Sequence, residues 1–184
     1  MHDLLSVTHS VDLNSSGGIM TAAATDEKRE SIGRAIGRIA SGVYVVTVKH
    51  DGVPDGMLTT WIAQAGFEPP MLSLAVKNDR PVLQTLKKGA PFVVNVLSKK
   101  NMDIFKSFAR PHTEGLNRFE GLSVDMERAA AAVFPDAIAY MACQVHDLVA
   151  AGDHSLVIGE IVDGAGLNIE DEAMVHLRKN GFQY

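Results

Sequence analysis

The sequence contains only one cysteine, Cys143, among 184 residues. A single cysteine cannot form an intrachain disulfide bond, and no grouping of cysteine and histidine at zinc-ligand spacing surrounds it. We therefore expect no metal site and a cytoplasmic protein in a reducing compartment. Because Cys143 falls on an apolar strand face, we interpret it as a small buried hydrophobe rather than a nucleophile.

Long hydrophobic runs and an excess of basic charge are also missing. The longest apolar runs, Val43–Val48 and Met71–Val76, are strand-length and fall far short of the ~20 residues that a membrane span needs. The N-terminus lacks a basic segment followed by an apolar one, so we expect neither a secretory signal nor a membrane association. With 17 basic and 22 acidic side chains the net charge is −5, which argues against nucleic-acid binding.

Several nucleotide and hydrolase motifs are absent as well. No Gly-x-Gly-x-x-Gly fingerprint follows a strand, so the sequence does not support a Rossmann dinucleotide site. Neither a P-loop nor a Gly-x-Ser-x-Gly nucleophile elbow occurs.

Residues 1–25 are rich in serine, glycine, threonine and alanine and show no sustained apolar period. We interpret them as a flexible N-terminal extension or linker outside the fold, and residues 26–184 as one domain. Met20 as an alternative start and a connector to a preceding domain remain open alternatives.

The domain begins with a predicted amphipathic helix. Asp26 is a good N-cap residue, and Ile32, Ile36 and Ile39 recur at helical spacing. Two further short helices are predicted, over residues 79–89 and 101–109.

Strands dominate the rest of the sequence. We predict strands over residues 43–48, 57–65, 71–76, 92–97, 137–145 and 155–162, because these stretches are apolar or alternate with a period of two. The alanine run at residues 129–132 is ambiguous, since a Phe-Pro-Asp sequence interrupts it soon afterwards. The pattern favours a mainly β fold, a small antiparallel barrel with peripheral helices.

Four sequence blocks resemble the flavin reductase-like, FMN-binding split-barrel family. They are Gly56–Trp61, Gln64–Pro70, Phe92–Leu97 and Gly152–His154, and the resemblance extends from about Ser31 to Tyr184. The sequence of these blocks most resembles the flavin-reductase-like module at the C-terminus of flavodiiron proteins. We expect the module to stand alone here. The resemblance implies a six-stranded antiparallel split β-barrel, a homodimer, FMN near the dimer interface, and hydride exchange with a reduced nicotinamide.

The resemblance assigns Thr59, Thr60 and Trp61 to the flavin site. The two threonines offer hydroxyl and backbone groups to the flavin ring. Trp61 stands where the family commonly has a small hydroxyl residue, which is a departure from its pattern. The alternative is that both threonines are present only as strand formers.

Lys77, Asn78 and Arg80 are the candidates for the FMN phosphate. They precede or open the predicted second helix, where backbone amides and the helix dipole favour an anion. A solvated cluster of loop charges is the alternative.

The remaining cofactor candidates lie along the predicted ring position. Gln64 and Ala65 occupy the segment that passes along the flavin edge in the family, and Asn95 lies in the third block. Phe105 and Phe108 could cover the ring from their helix, although an aromatic pair at this spacing also suits a core.

His154 is the catalytic candidate. In the family the histidine of the Gly-Asp-His turn faces the nicotinamide side of the flavin pocket. Hydride transfer depends on stacking and distance, so we assign His154 a positioning role and no obligatory proton transfer. A turn histidine bonded to Asp153 is the alternative.

The predicted function is an NAD(P)H:flavin oxidoreductase that binds FMN, uses NADH or NADPH transiently, and serves a redox or oxygenase partner protein. The alternative is a non-catalytic FMN-binding electron-transfer flavoprotein that a partner protein reduces.

Overall fold

The computed structural model describes residues 22–111 and 115–182. Its helices are α1 (Ala22–Ile36), α2 (Pro81–Lys87) and α3 (Met102–Ala109). Its strands are β1 (Ser41–Gly42), β2 (Tyr44–His50), β3 (Val53–Thr59), β4 (Ile62–Phe67), β5 (Pro70–Lys77), β6 (Phe92–Val96), β7 (Ala139–Ala151), β8 (His154–Gly166) and β9 (Val175–His176). Within the described residues no helix is long and apolar enough to cross a membrane.

Seven of the strands form one antiparallel sheet in the order β3-β2-β6-β7-β8-β5-β4. The two edge strands, β3 and β4, follow one another in the chain and are separated only by Thr60 and Trp61. A two-residue connection between opposite edges requires the sheet to curl until its edges approach each other at that corner. This confirms the mainly β, split-barrel class.

The sheet has seven strands rather than the six implied by the resemblance, because the predicted strand over residues 57–65 is two strands. Thr59 is paired with Tyr44 on β2, whereas the carbonyl of Trp61 accepts a hydrogen bond from Ala75 N on β5 at 3.0 Å. The chain therefore passes from one sheet edge to the other at Thr60. An uninterrupted apolar run carries no signal of such a switch.

The core packs on both faces of β6. Phe92 and Val94 belong to a cluster with α2, whereas Val93 packs with Ala131 and Val133 on the opposite face. The ambiguous alanine run is not helical: it is irregular chain in which Ala131 clusters with Val93 of β6, and Val133 forms a bridge with Asp125.

The predicted α2 and α3 are confirmed within two residues at each end. Pro81 opens α2, Val82, Leu83 and Leu86 are buried, and Arg80 holds the N-cap position. The alternation predicted over residues 137–145 is also present, since Cys143 on β7 lies in the α2 cluster and Met141 and Val145 pack against it.

The N-terminal boundary differs from the prediction. Helix α1 begins at Ala22, so Asp26 lies inside the helix and is not its N-cap, and four residues of the predicted extension are helical. The rest of that extension, residues 1–21, lies outside the described residues. A helix can start before its first apolar residue, and apolar periodicity therefore places a helix start poorly.

Two compact units are distinguished within the predicted domain. In one, α1 packs with residues 178–182: Gly181 N bonds to Gly33 O, and the guanidinium of Arg29 lies 4.2 Å from the ring centre of Phe182. The other, Ile39–Leu177, contains every strand and all the candidate site residues.

Candidate functional site

An aromatic pair lies where the β3–β4 junction meets the start of β8. The rings of Trp61 and His154 have centroids 4.8 Å apart and are tilted by 37°. The sheet register explains this contact. Ala75 bonds to Trp61, and two residues later Lys77 is paired with His154.

Two buried polar atoms in this region lack a hydrogen-bond partner among the described residues. They are Oγ1 of Thr60 and Nε2 of His154. Buried polar atoms are nearly always hydrogen-bonded to protein or to another group, so two orphans beside one aromatic pair indicate a ligand site. Thr59 differs, because its hydroxyl oxygen accepts a hydrogen bond from Trp61 N at 3.3 Å.

His154 is held in one orientation. Its Nδ1 lies 2.8 Å from Oδ1 of Asp153, and its side chain is 11% exposed against 77% for Asp153. The hydrogen bond from His154 holds the pKa of the Asp153 carboxyl below its usual value. A carboxylate that accepts from Nδ1–H leaves Nε2 of the neutral ring as a hydrogen-bond acceptor. The contact with Asp153 that the turn-histidine interpretation expects is present, and the positioning role of His154 stays a prediction.

The three predicted phosphate residues have different surroundings. Lys77 Nζ pairs with Asp79 Oδ2 at 2.9 Å, and this hydrogen bond lowers the pKa of Asp79. Asn78 holds the β7–β8 turn through two hydrogen bonds. Its Nδ2 donates to Gly152 O at 3.3 Å, and its Oδ1 accepts from Ser155 Oγ at 2.8 Å. Arg80 is exposed and lines a small cleft.

That cleft contains a residue that the sequence analysis missed, Arg118. The lining consists of Asp55, Gly56, Met57, Arg80, Pro81, Val82 and Arg118. Burial lowers the pKa of Arg118, nearby Asp55 raises it, and nearby Arg80 lowers it further. Arg118 lies within the loop after α3, which has no periodicity, so no sequence pattern marked it.

Gln64 and Ala65 lie exposed on β4, as a flavin-edge position requires. The amide of Gln64 donates to Gly66 O at 3.3 Å, next to a register shift between these two residues. Their contact with a flavin stays a prediction.

Two predicted cofactor residues belong to the core instead. Asn95 is fully buried, and its amide bonds to Val45 O, Ala132 O and Phe134 N. Phe108 is buried between Phe119 and Phe134. We therefore leave Asn95 and Phe108 out of the candidate site, because the polar atoms of the one and the ring of the other are already used. Phe105 is partly buried against the same cluster, and its contact with a flavin stays a prediction.

No group of three histidine, cysteine, aspartate or glutamate side chains within residues 22–111 and 115–182 could hold a metal ion. Cys143 is buried, and burial raises the pKa of its thiol to about 12. The thiol is therefore no nucleophile at neutral pH.

Comparison with known proteins agrees with this geometry. Diflavin flavoprotein A 1 of Synechocystis sp. is 34% identical over 152 residues, which cover 82% of this chain and 26% of that protein. The chain thus spans about a quarter of the length of this curated relative. NADH:FAD oxidoreductase SgcE6 of Streptomyces globisporus C-1027 has a TM-score of 0.73 at 25% identity, with 88% of this chain and 93% of that chain covered.

A third comparison supports the fold alone. A nitrilotriacetate monooxygenase component B homologue from Mycobacterium thermoresistibile has a TM-score of 0.74 at 22% identity, and 86% of each chain is covered. The family described as flavin reductase like domain matches residues 36–183, which include every strand of the sheet and the Trp61–His154 pair. This chain belongs to the flavin reductase-like domain family.

Proposed function

We propose that this chain binds FMN and catalyses its reduction by NADH or NADPH. The observation that carries the proposal is the pair of orphaned buried atoms, Thr60 Oγ1 and His154 Nε2, beside the ring of Trp61. Family membership and the similarity to an NADH:FAD oxidoreductase support the choice of ligand and reaction.

The residues present fit a flavin. Thr60 Oγ1 can donate or accept, and His154 Nε2 can accept, so both can satisfy polar groups on a heterocycle. Gln64 and Ala65 lie on the exposed strand that starts next to Trp61. A bound flavin supplies the electron acceptor for a hydride from the reduced nicotinamide.

His154 and Trp61 would orient the nicotinamide. Hydride transfer requires two rings to be held face to face at short distance, and an oriented aromatic pair restricts where a planar ring can lie. Asp153 fixes the His154 ring, so this part of the site is preorganised. No acid or base is needed from either side chain.

The direct test is anaerobic mixing of the purified chain with FMN and either NADH or NADPH. We expect the visible flavin absorption band to bleach with at least one of the two nicotinamides. FAD in place of FMN tests which flavin is preferred. Binding of flavin without bleaching would contradict the reductase proposal.

The role of His154 is tested by His154→Ala in stopped-flow reduction of the flavin-loaded protein. We expect the rate of flavin reduction to fall about tenfold, equivalent to ~1.4 kcal/mol of barrier, with flavin affinity nearly unchanged. His146→Ala is the matched control, because His146 is exposed on β7. A rate and nicotinamide dependence equal to those of the control would remove His154 from the site.

One observation favours a second function, an electron-transfer module. The chain matches about a quarter of a protein named as a diflavin flavoprotein, so the similar segment there works beside other parts of a longer chain. In this alternative the bound FMN is reduced by a redox partner protein. Retained FMN that NADH and NADPH leave oxidised, but that a partner reduces, would support it.

A further inference from the structure

Asn78, the first residue after β5, is bonded to the chain on both sides of His154. Its backbone N–H donates to Asp153 O at 3.0 Å, in addition to the two side-chain hydrogen bonds that join it to Gly152 and Ser155. The residue before His154 and the residue after it are therefore both held by the same asparagine.

The turn that Asn78 holds is short and exposed. Gly152 and Asp153 alone connect Ala151 to His154, and these two residues are paired with each other across the hairpin. A Cβ atom at Gly152 would meet nothing within 4 Å, and the side chain of Asp153 is 77% exposed. A segment with so little packing is fixed mainly by its hydrogen bonds. The bonds from Asn78 therefore restrain a turn that packing leaves free to shift.

The place of this turn determines where the His154 ring lies. The ring centroid is 4.8 Å from that of Trp61, and Nδ1 is bonded to the carboxylate of Asp153. A displacement of the turn would move the imidazole together with the carboxylate that orients it. Because hydride transfer depends on distance and orientation, even a shift of about 1 Å in a positioning group can lower the rate.

We propose that Asn78 is a positioning residue for His154 and acts through the β7–β8 turn rather than by touching a ligand. This inference rests on the proposed reductase function of the chain. It gives Asn78 a different role from the phosphate contact considered for it in the sequence, because its oxygen, one amide hydrogen and its backbone N–H are used within the protein.

The experiment compares wild type with Asn78→Ala, His154→Ala and the double variant. The matched control is Asn168→Ala. Asn168 is also exposed and donates through Nδ2 to two backbone carbonyls, Pro135 O at 2.9 Å and Ala137 O at 2.8 Å, but it lies beyond the other end of β8.

We expect the rate of flavin reduction to fall about threefold to tenfold in Asn78→Ala and to stay at the wild-type value in Asn168→Ala. The affinities for FMN and for riboflavin should be nearly unchanged in both. The double variant should reduce flavin no more slowly than His154→Ala, because Asn78 acts only through the His154 ring.

A second readout needs no bound flavin. The ring protons of His154 lie beside the Trp61 ring, so their NMR signal depends on the placement of the imidazole, and the signal missing from His154→Ala identifies it. We expect this signal to move in Asn78→Ala and to keep its position in Asn168→Ala. Ser155→Ala, which removes one hydrogen bond, should move it less, and Ser155→Thr, which keeps the hydroxyl, should leave it in place.

An unmoved His154 signal in Asn78→Ala, or a further loss of rate in the double variant, overturns the positioning role while leaving the proposed function intact. A loss of flavin affinity in Asn78→Ala also overturns it, because the asparagine would then contact the flavin. Should Asn78→Ala not fold, Ser155→Ala and Ser155→Thr decide by the same signal. If wild type reduces flavin with neither NADH nor NADPH, the proposed function fails, and the His154 signal still tests whether Asn78 places the ring.

Discussion

Asn95 joins three segments of the chain through one buried amide group. Its Nδ2 lies 3.3 Å from Val45 O on β2 and 3.2 Å from Ala132 O, and its Oδ1 accepts from Phe134 N at 2.9 Å. In this segment Val133 forms an isolated bridge with Asp125, and the amide of Asn95 bonds the flanking backbone groups, Ala132 O and Phe134 N. Asn95 therefore holds irregular chain against the sheet.

Replacement of Asn95 with alanine is expected to lower the free energy of unfolding by about 2 to 4 kcal/mol, because Phe134 N would lose its acceptor in a dry interior. Chemical denaturation with urea measures the change. Gln144→Ala, which removes an exposed amide from β7, is the control and is expected to change stability by less than about 0.5 kcal/mol. An Asn95→Ala protein as stable as the control would contradict this role.

The sequence alone predicted some residues of the candidate site and wrongly assigned others to it. The resemblance brought Thr60, Trp61 and His154 into consideration, and the structure brings Trp61 and His154 into contact and leaves polar atoms of Thr60 and His154 unsatisfied. The same reasoning assigned Asn95 and Phe108 to the cofactor, because an amide on a strand and an aromatic ring on a helix have the same pattern in a core as in a pocket. Burial separates the two cases, and burial is a property of the whole fold.

At the scale of the elements, β8 packs closely against β6 around one glycine. A Cβ atom at Gly159 would lie 2.6 Å from Cζ of Phe92, which is fully buried. The glycine therefore makes room for the aromatic ring in the α2 cluster. A large ring opposite a glycine fills space that two medium side chains would fill less closely.

Gly159→Ala is expected to lower the free energy of unfolding by about 1 to 3 kcal/mol, because the added methyl group would force the fully buried Phe92 ring to shift. The same substitution in a Phe92→Leu background is expected to cost less than about 1 kcal/mol, since the clashing ring atoms are gone. Thermal or urea unfolding of the four proteins gives the coupling. If the effects of the two substitutions on the free energy of unfolding are additive, Gly159 is not required to accommodate the Phe92 ring.

Element types were predictable wherever one local pattern decided the structure. Pro81 and Gly89 bracket α2, and the period of two from Ala137 to Val145 identified β7. The passage from β3 to β4 was not predictable, because Thr60 and Trp61 lie inside an apolar run and change partners only through long-range pairing. That switch is what creates the candidate site.

The connectivity of the whole sheet explains why the candidate site lies where it does. β4 and β8 both pair with β5, so the β3–β4 junction and the β7–β8 turn meet at one end of that strand. Residues 93 positions apart in sequence thereby come into ring contact. Local periodicity carries no information about such a contact. The resemblance to the family does carry it, because it includes both sequence blocks.

The same architecture leaves β4 as an open edge strand, and we propose that a second copy of the chain covers it. Phe67 on this strand is 89% exposed, an unusual state for a large aromatic side chain at a sheet edge. We expect light scattering at micromolar concentration to give about twice the chain mass of 19.8 kDa. Phe67→Lys should shift the protein toward the mass of one chain, because a lysine buried in a subunit interface would lose its hydration without a partner.

The control for this substitution is Val53→Lys on β3, the opposite edge strand, where Val53 is 65% exposed. If β4 is the interface, only the Phe67 variant dissociates, and the Val53 variant keeps the dimer mass. Dissociation by both variants, or by Val53→Lys alone, would place the interface elsewhere on the sheet. A wild-type protein that stays monomeric with FMN bound would contradict the dimer, because the split barrel would then hold its flavin without help from a second chain.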